Sequence, residues 1–280
     1  MELFKGRKLI IATKHHKERV IAPVLEKALE VECFVNNTFD TDSLGTFSGE
    51  VKRELDPLAT ARKKCLMAME ASNCDLGVAS EGSFGPHPSL FFASADDEFL
   101  VFIDKKHDLE IIVRELSTET NFNGKSLTSE EELWEFAQLT KFPSHGLILK
   151  PSKDDTTEIA KGINTKETLL STFRYLQSKY GEVYAETDMR AMYNPSRMAV
   201  IALAAEKLAE KIQSVCPKCH TPGFGITDAI AGLPCDLCSM PTATVKMLVY
   251  ECSNCNYKEE RPPTHGKTTE DPTYCDYCNP

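Results

Sequence analysis

The sequence predicts an α/β domain built on a mixed sheet over residues 1–213, followed by a small cysteine-rich domain over residues 214–280. Two observations carry this reading. Up to residue 213, short apolar runs alternate with segments whose apolar residues recur every three to four positions, the mark of strands alternating with helices. Beyond it the chain turns to Cys, Pro and Gly, and 8 of its 11 cysteines lie after residue 215.

The elements follow in order. Residues 8–13 read as a buried strand. A polar turn, Lys14-His15-His16-Lys17, leads to a helix through Glu30 that Pro23 either delays or kinks. Residues 31–35 form a second strand, and residues 38–54, rich in Gly, Ser, Thr and Asp, a loop. Asp56-Pro57 has the N-cap and first-turn pattern, and Leu58, Ala61, Cys65 and Ala68 follow at helical spacing, so a helix spans 57–72. Residues 75–80 make a strand that enters a loop, Glu81-Gly82-Ser83-Phe84-Gly85-Pro86. Residues 98–104 and 109–115 form a hairpin. Ser129 caps a helix to 141, with Glu130, Glu131 and Glu132 where the helix dipole favours acids. A strand at 145–150, a helix at 165–180 and a strand at 183–187 come next. Asn194-Pro195 opens the last helix, with Met198, Ile201, Ala205, Leu208 and Ile212 as its buried stripe. The tail has one good strand, 244–250. Crossovers combined with a hairpin imply a sheet of mixed direction.

Composition narrows the function. The 280 residues are 41% apolar and 26% charged, enough for a sizeable core. The net charge of −10 argues against gripping bulk duplex nucleic acid, which needs Lys and Arg against phosphates. No apolar run approaches the roughly 18–20 residues of a membrane span. The run Leu9-Ile10-Ile11-Ala12 is too short for a signal-peptide core, so a cytoplasmic protein without membrane contact is expected.

The cysteines give the sharpest signal. Cys216/Cys219, Cys235/Cys238, Cys252/Cys255 and Cys275/Cys278 are four CxxC pairs within 63 residues. A disulfide scaffold does not need this repeated spacing, whereas two thiolates at i and i+3 supply half of a tetrahedral zinc site. Eight thiolates make two structural zinc sites. Three ways of pairing the CxxC units are open, and the strand at 244–250 tilts the choice toward joining the middle two. His220 and His265 read as non-ligands, and Cys33, Cys65 and Cys74 as small apolar residues. Residues 214–280 carry 5 Lys/Arg against 8 Asp/Glu, before the thiolates are counted. That charge favours a structural or protein-contact role over nucleic-acid binding.

Ligands of open α/β sheets bind outside the carboxyl ends of the strands. Three loops have that placement. Thr13-Lys14-His15-His16-Lys17 offers a hydroxyl, cations and helix-start N–H groups that suit phosphate, or is a plain solvated turn. Ser80-Glu81-Gly82-Ser83-Phe84-Gly85-Pro86-His87 sets an acid beside glycines that allow close approach, or is a tight structural turn. Gly45 to Arg53, with Ser48 and Gly49, leads to Asp56 and the helix bearing Arg62, Lys63 and Lys64; its plain reading is a loop before a solvated helix face. Residues 186–197 combine Asp188, Arg190, Tyr193, Asn194 and Arg197, either as a cap and an ion pair or as one wall of a cleft.

In order, these features resemble the inosine/xanthosine triphosphatase family, which hydrolyses non-canonical purine nucleoside triphosphates. Ala12-Thr13-Lys14-His15-His16-Lys17 is similar to that family's first Thr-Asn-Pro-x-Lys turn, keeping Thr13 and Lys17 but not the Asn. Ser48-Gly49 and Asp56-Pro57-Leu58-Ala59-Thr60-Ala61-Arg62 resemble its Ser-Gly loop and acid-led helix, Gly77-Val78-Ala79-Ser80-Glu81-Gly82-Ser83 its acidic strand end, and Ser196-Arg197-Met198 its final helix start. The resemblance covers most of residues 1–213, and the family lacks a four-CxxC tail. With that tail, the whole chain resembles a bacterial protein family without an assigned activity.

The resemblance implies metal-assisted phosphoanhydride hydrolysis. Glu81 and Asp56 would be catalytic and hold Mg²⁺, with Glu54 the next acid to join them. Thr13, Lys17, Ser48, Gly49, Arg62, Gly82, Ser83 and Arg197 would bind a small phosphorylated ligand. Two alternatives belong to other classes: a non-catalytic nucleotide- or RNA-binding protein, and a zinc-ribbon scaffold for a protein partner.

Overall fold

The structure, a computed structural model, describes residues 2–36 and 55–280. The chain divides into two compact units, Met1–Ala209 and Glu210–Pro280.

The first unit begins with β1 (Lys8–Ala12), α1 (Glu18–Leu29) and β2 (Glu32–Phe34). α1 starts directly after the polar turn and carries Pro23 within it. Then come α2 (Pro57–Ala71), β3 (Leu76–Pro86), β4 (Ser94–Asp104) and β5 (Leu109–Ser117). These strands form a five-stranded sheet in the order β2-β1-β3-β4-β5. β1 is parallel to β2 and to β3, while β3, β4 and β5 pair antiparallel, so the sheet is mixed as the sequence predicts. On one face, Ile10, Ala12, Ala79, Val101 and Ile103 pack against Ala61, Cys65, Ala68 and Met69 of α2.

β3 corrects one expectation. Glu81 to Pro86 is strand, not loop, because β4 pairs with it to the end, Phe84 opposite Asp96 and Pro86 opposite Ser94. The glycine-rich composition is overridden by a full ladder, and neither Gly82 nor Gly85 has a positive φ.

The first unit also contains β6 (Gly124–Leu127), α3 (Glu130–Leu139), β7 (Leu147–Lys150), β8 (Ala160–Ile163), α4 (Lys166–Tyr180) and β9 (Val183–Thr187). Here the strands form a second, antiparallel sheet, β6-β9-β7-β8, which the sequence did not predict. α3 and α4 cover it with Leu133, Phe136, Leu169, Phe173 and Leu176. α5 (Pro195–Gln213) follows, capped by Asn194, whose Oδ1 accepts from the Arg197 N–H at 3.0 Å.

The second unit has β10 (Gly225–Ala231), β11 (Val245–Glu251) and β12 (Lys258–Arg261) in one antiparallel sheet. No helix among the described residues is long and apolar enough to cross a membrane.

Candidate metal centres and a buried charge cluster

The tail sheet decides how the cysteines group. Gly225 lies opposite Glu251, so the turns before β10 and after β11 meet at one end of the sheet. Those turns carry Cys216/Cys219 and Cys252/Cys255. Ala231 lies opposite Val245, which puts Cys235/Cys238 at the other end. β12 runs back from Lys258 opposite Glu251 to Arg261 opposite Leu248, toward that second end, before the chain reaches Cys275/Cys278. The first and third pairs therefore cluster, as do the second and fourth. This interleaving corrects the slight sequence preference for joining the middle two.

In each cluster the sulfurs lie within 4.8 Å of one another. Cys216–Cys255 and Cys219–Cys252 are 3.7 and 3.6 Å apart; Cys235–Cys278 and Cys238–Cys275 are 3.9 and 3.6 Å apart. These separations exceed a disulfide bond. They match the edge of a tetrahedron, about 3.8 Å, that a metal–sulfur bond of about 2.3 Å dictates. Two four-cysteine clusters that could hold metal ions are thus present, consistent with two structural zinc ions. Three of the four turns share one device: the residue after the second cysteine, His220, Ser239 or Asn256, is left-handed, with φ of 60°, 61° and 56°. Its N–H bonds back to the carbonyl of the first cysteine, at 2.8, 2.9 and 2.9 Å. His220 is there as a turn residue, and neither it nor His265 joins a cluster.

The second site is in the first unit. β1 ends at Ala12, opposite Ala79, while β3 continues past it through Ser80, Glu81 and Gly82. Beyond β1, the turn brings Lys17 back over β3, where its Nζ donates to Ser80 Oγ at 2.8 Å and to the Ser80 carbonyl at 3.3 Å. Lys17 is buried, and burial, then the Arg197 charge, lowers its pKa to about 8. His15 beside it is pressed down to about 3, by burial first and then by Lys17. Thr13 Oγ1 accepts the His15 N–H at 3.2 Å, which shapes the turn.

Strand alternation sends Glu81 to the α2 face and Ser80, Gly82 and Phe84 to the other. Glu81 meets Lys64 of α2 at 2.7 Å, both buried. On the opposite face, Arg197 Nε meets Glu98 Oε1 at 2.6 Å, with both side chains fully enclosed. The Arg197 guanidinium also lies 5.1 Å from the Phe84 ring centroid, and Phe84 stacks on Phe122. Gly82 allows this pair to lie over β3, since a Cβ there would come within 2.2 Å of Glu98 Oε1 and 2.8 Å of Arg197 Nη2.

Two ion pairs account for two cations and two acids. Lys17 then rests on neutral oxygens of Ser80. Asp96, fully buried on β4, has no hydrogen-bond partner on either carboxylate oxygen among the described residues. Burial first, and the Glu98 charge second, raise its pKa to about 8.

Of the residues singled out from sequence, the contacts gather Lys17, Gly82 and Arg197 on one face of β3 and hold Glu81 against Lys64 on the other. Others are engaged elsewhere. Asp56 caps α2, its Oδ1 accepting the Ala59 N–H at 2.9 Å. Arg62 pairs with Glu110 on an exposed surface. Ser83 lies opposite Asp97 in the ladder, half-buried. Ser48, Gly49 and Glu54 lie outside the described residues. Asp188 pairs with Arg190 at 2.6 Å and accepts the Gly162 N–H at 3.0 Å, so residues 186–197 supply both a cap and an ion pair.

Sequence reasoning missed Asp96 and Glu98. Their only signal was an acidic run, Asp96-Asp97-Glu98, opening an otherwise apolar strand, with the outer two acids at the two-residue spacing of one sheet face.

These features define a two-unit α/β protein with a charged strand-end cluster and a tail organised by two four-cysteine clusters. The chain belongs to the DUF6671 family, a domain of unknown function, whose profile matches residues 64–280. That span holds both cysteine clusters and every member of the charge cluster except His15 and Lys17. A search of curated proteins gave no match.

Proposed function

We propose that this protein is a hydrolase of nucleoside triphosphates, non-canonical purine ones or a related phosphorylated nucleotide, with the strand-end cluster holding the phosphates. The carrying observation is Lys17, a buried cation at the start of α1 that hydrogen-bonds to the neutral oxygens of Ser80, with the Arg197 charge acting on it. Glu98 and Glu81 act on Lys17 through space, and a buried cation whose hydrogen bonds go to neutral oxygens favours an anionic ligand in direct contact. The resemblance to the inosine/xanthosine triphosphatases supports the same reading.

In this reading Lys17 and Arg197 neutralise phosphate oxygens on one face of β3, while Glu81 is committed to Lys64 on the other. A water oxygen attacks phosphorus, the phosphoanhydride P–O bond breaks, and the water proton passes to an oxygen of the departing phosphate. Mg²⁺, when bound, would screen charge on the phosphates. Glu81 and Asp56 do not fit as its ligands: one is committed to Lys64, the other caps a helix. No step is drawn through a metal on them. The cysteine clusters carry structural zinc.

A scaffold role for the tail has one observation in its favour. Leu237, Tyr274 and Tyr277, around the second cluster, are all more than half exposed.

The test is turnover of a panel of nucleoside triphosphates with Mg²⁺, products read by phosphorus NMR. Cleavage of at least one supports the reading. Binding without cleavage would favour the non-catalytic alternative, and neither would favour the scaffold.

A further inference from the structure

Asp96 and Glu98 are alternate residues of β4, so both carboxylates leave the same face of the sheet. Both are completely buried. Glu98 Oε1 accepts from Arg197; among the described residues its Oε2 and both oxygens of Asp96 have no hydrogen-bond partner, although the Arg197 and Lys17 charges act on Asp96 through space. Burying three carboxylate oxygens without partners is costly unless something compensates them.

A proton on Asp96 would satisfy one carboxyl and leave the remaining oxygens without donors. One cation seated between the two carboxylates would give all three a partner. The donor set is oxygen alone, without thiolate or imidazole, which suits a hard ion and not zinc. Mg²⁺ characteristically takes one or two protein carboxylates and completes its shell with water and phosphate oxygens. Lys17 and Arg197 stand on this same face of β3 and β4.

We propose that Asp96 and Glu98 form the seat of one hard divalent cation, with both Asp96 oxygens and Glu98 Oε2 as its protein donors. Glu81 and Asp56 are not part of it. Any role of the seat in hydrolysis rests on the phosphohydrolase reading; the binding itself does not.

The experiment uses the zinc-loaded full-length protein and Mn²⁺ alone, without nucleotide, with free Mn²⁺ read by electron paramagnetic resonance. The wild type should bind about one Mn²⁺, displaced by excess Mg²⁺. Asp96→Asn should weaken it by about tenfold or more, the least expected for loss of a ligand. Asp56→Asn, which keeps its cap, should bind as the wild type does. No Mn²⁺ bound by the wild type, or loss in Asp56→Asn with retention in Asp96→Asn, would overturn the proposal. Should Asp96→Asn fail to fold, paramagnetic broadening in the wild type decides. Amides of Gly82 and Phe84, opposite Glu98 and Asp96 across the ladder, should broaden first. Broadening centred on Ala59 would overturn it. Mn²⁺ bound at Asp96 with no nucleotide cleaved would leave the seat standing and remove the hydrolase reading instead.

Discussion

Gly82 and Glu98 face each other across the β3–β4 ladder, and the missing side chain of the first is the space occupied by the second. Gly82→Ala would drive a methyl into Glu98 Oε1 and the Arg197 guanidinium, both enclosed and paired. It should cost about 2–4 kcal/mol of unfolding free energy, in the range for disturbing a buried ion pair. Gly85→Ala, three residues on with nothing within 4 Å of the added Cβ, should cost far less. Denaturant titration of the two variants checks the contrast.

Glu81→Gln should destabilise the protein. The substitution is nearly isosteric, but it leaves Lys64 buried without its partner at 2.7 Å. Removing one member of such a pair costs about 3–5 kcal/mol. Lys64→Met combined with Glu81→Leu should recover most of that stability. A denaturation cycle over the single and double variants measures the coupling.

The interleaved cysteine clusters give a sharp zinc count. Elemental analysis of the wild type should give about two zinc ions per chain, since each site contributes to folding only with its metal. Cys216→Ser with Cys252→Ser disables one cluster and should leave about one zinc. Cys216→Ser with Cys235→Ser touches both and should leave none. Equal loss in the two double variants would contradict the grouping.

Stability should fall on acidification through His15. Its folded pKa is held near 3 by burial and the neighbouring cations, against about 6.5 when unfolded. Between those values the unfolded chain binds the proton and the folded chain does not, so stability rises with pH across that window and is lost as pH drops from about 6.5 toward 3. His15→Gln should show a shallower loss between pH 6.5 and 4.5 in thermal melts.

Residues that sit where local rules place them were legible in the sequence. Lys17 follows the end of β1, Arg197 follows a helix cap, and the CxxC spacing announced its own chemistry. What escaped depends on long-range pairing. The β3 extension was hidden because Gly82 and Gly85 mimic a loop until β4 pairs with them. Gly124–Leu127 is four residues with three exposed, too short and polar to show a period, so β6 and its sheet went unseen. The cysteine grouping is set by the β10–β11–β12 register, which no spacing along the chain encodes. Glu98 went unseen because its partner, Arg197, lies 99 residues away in the chain.

The central claim is that Lys17 holds phosphate. Calorimetric titration of nucleoside triphosphates into the zinc-loaded wild type and Lys17→Met, with circular dichroism confirming the fold of both, tests it most directly. The account predicts binding by the wild type, weakened by about tenfold or more in Lys17→Met, as loss of a charge-assisted contact of roughly 1.5–3 kcal/mol requires. Wild-type protein that binds no nucleotide, or a folded Lys17→Met that binds equally well, would contradict it.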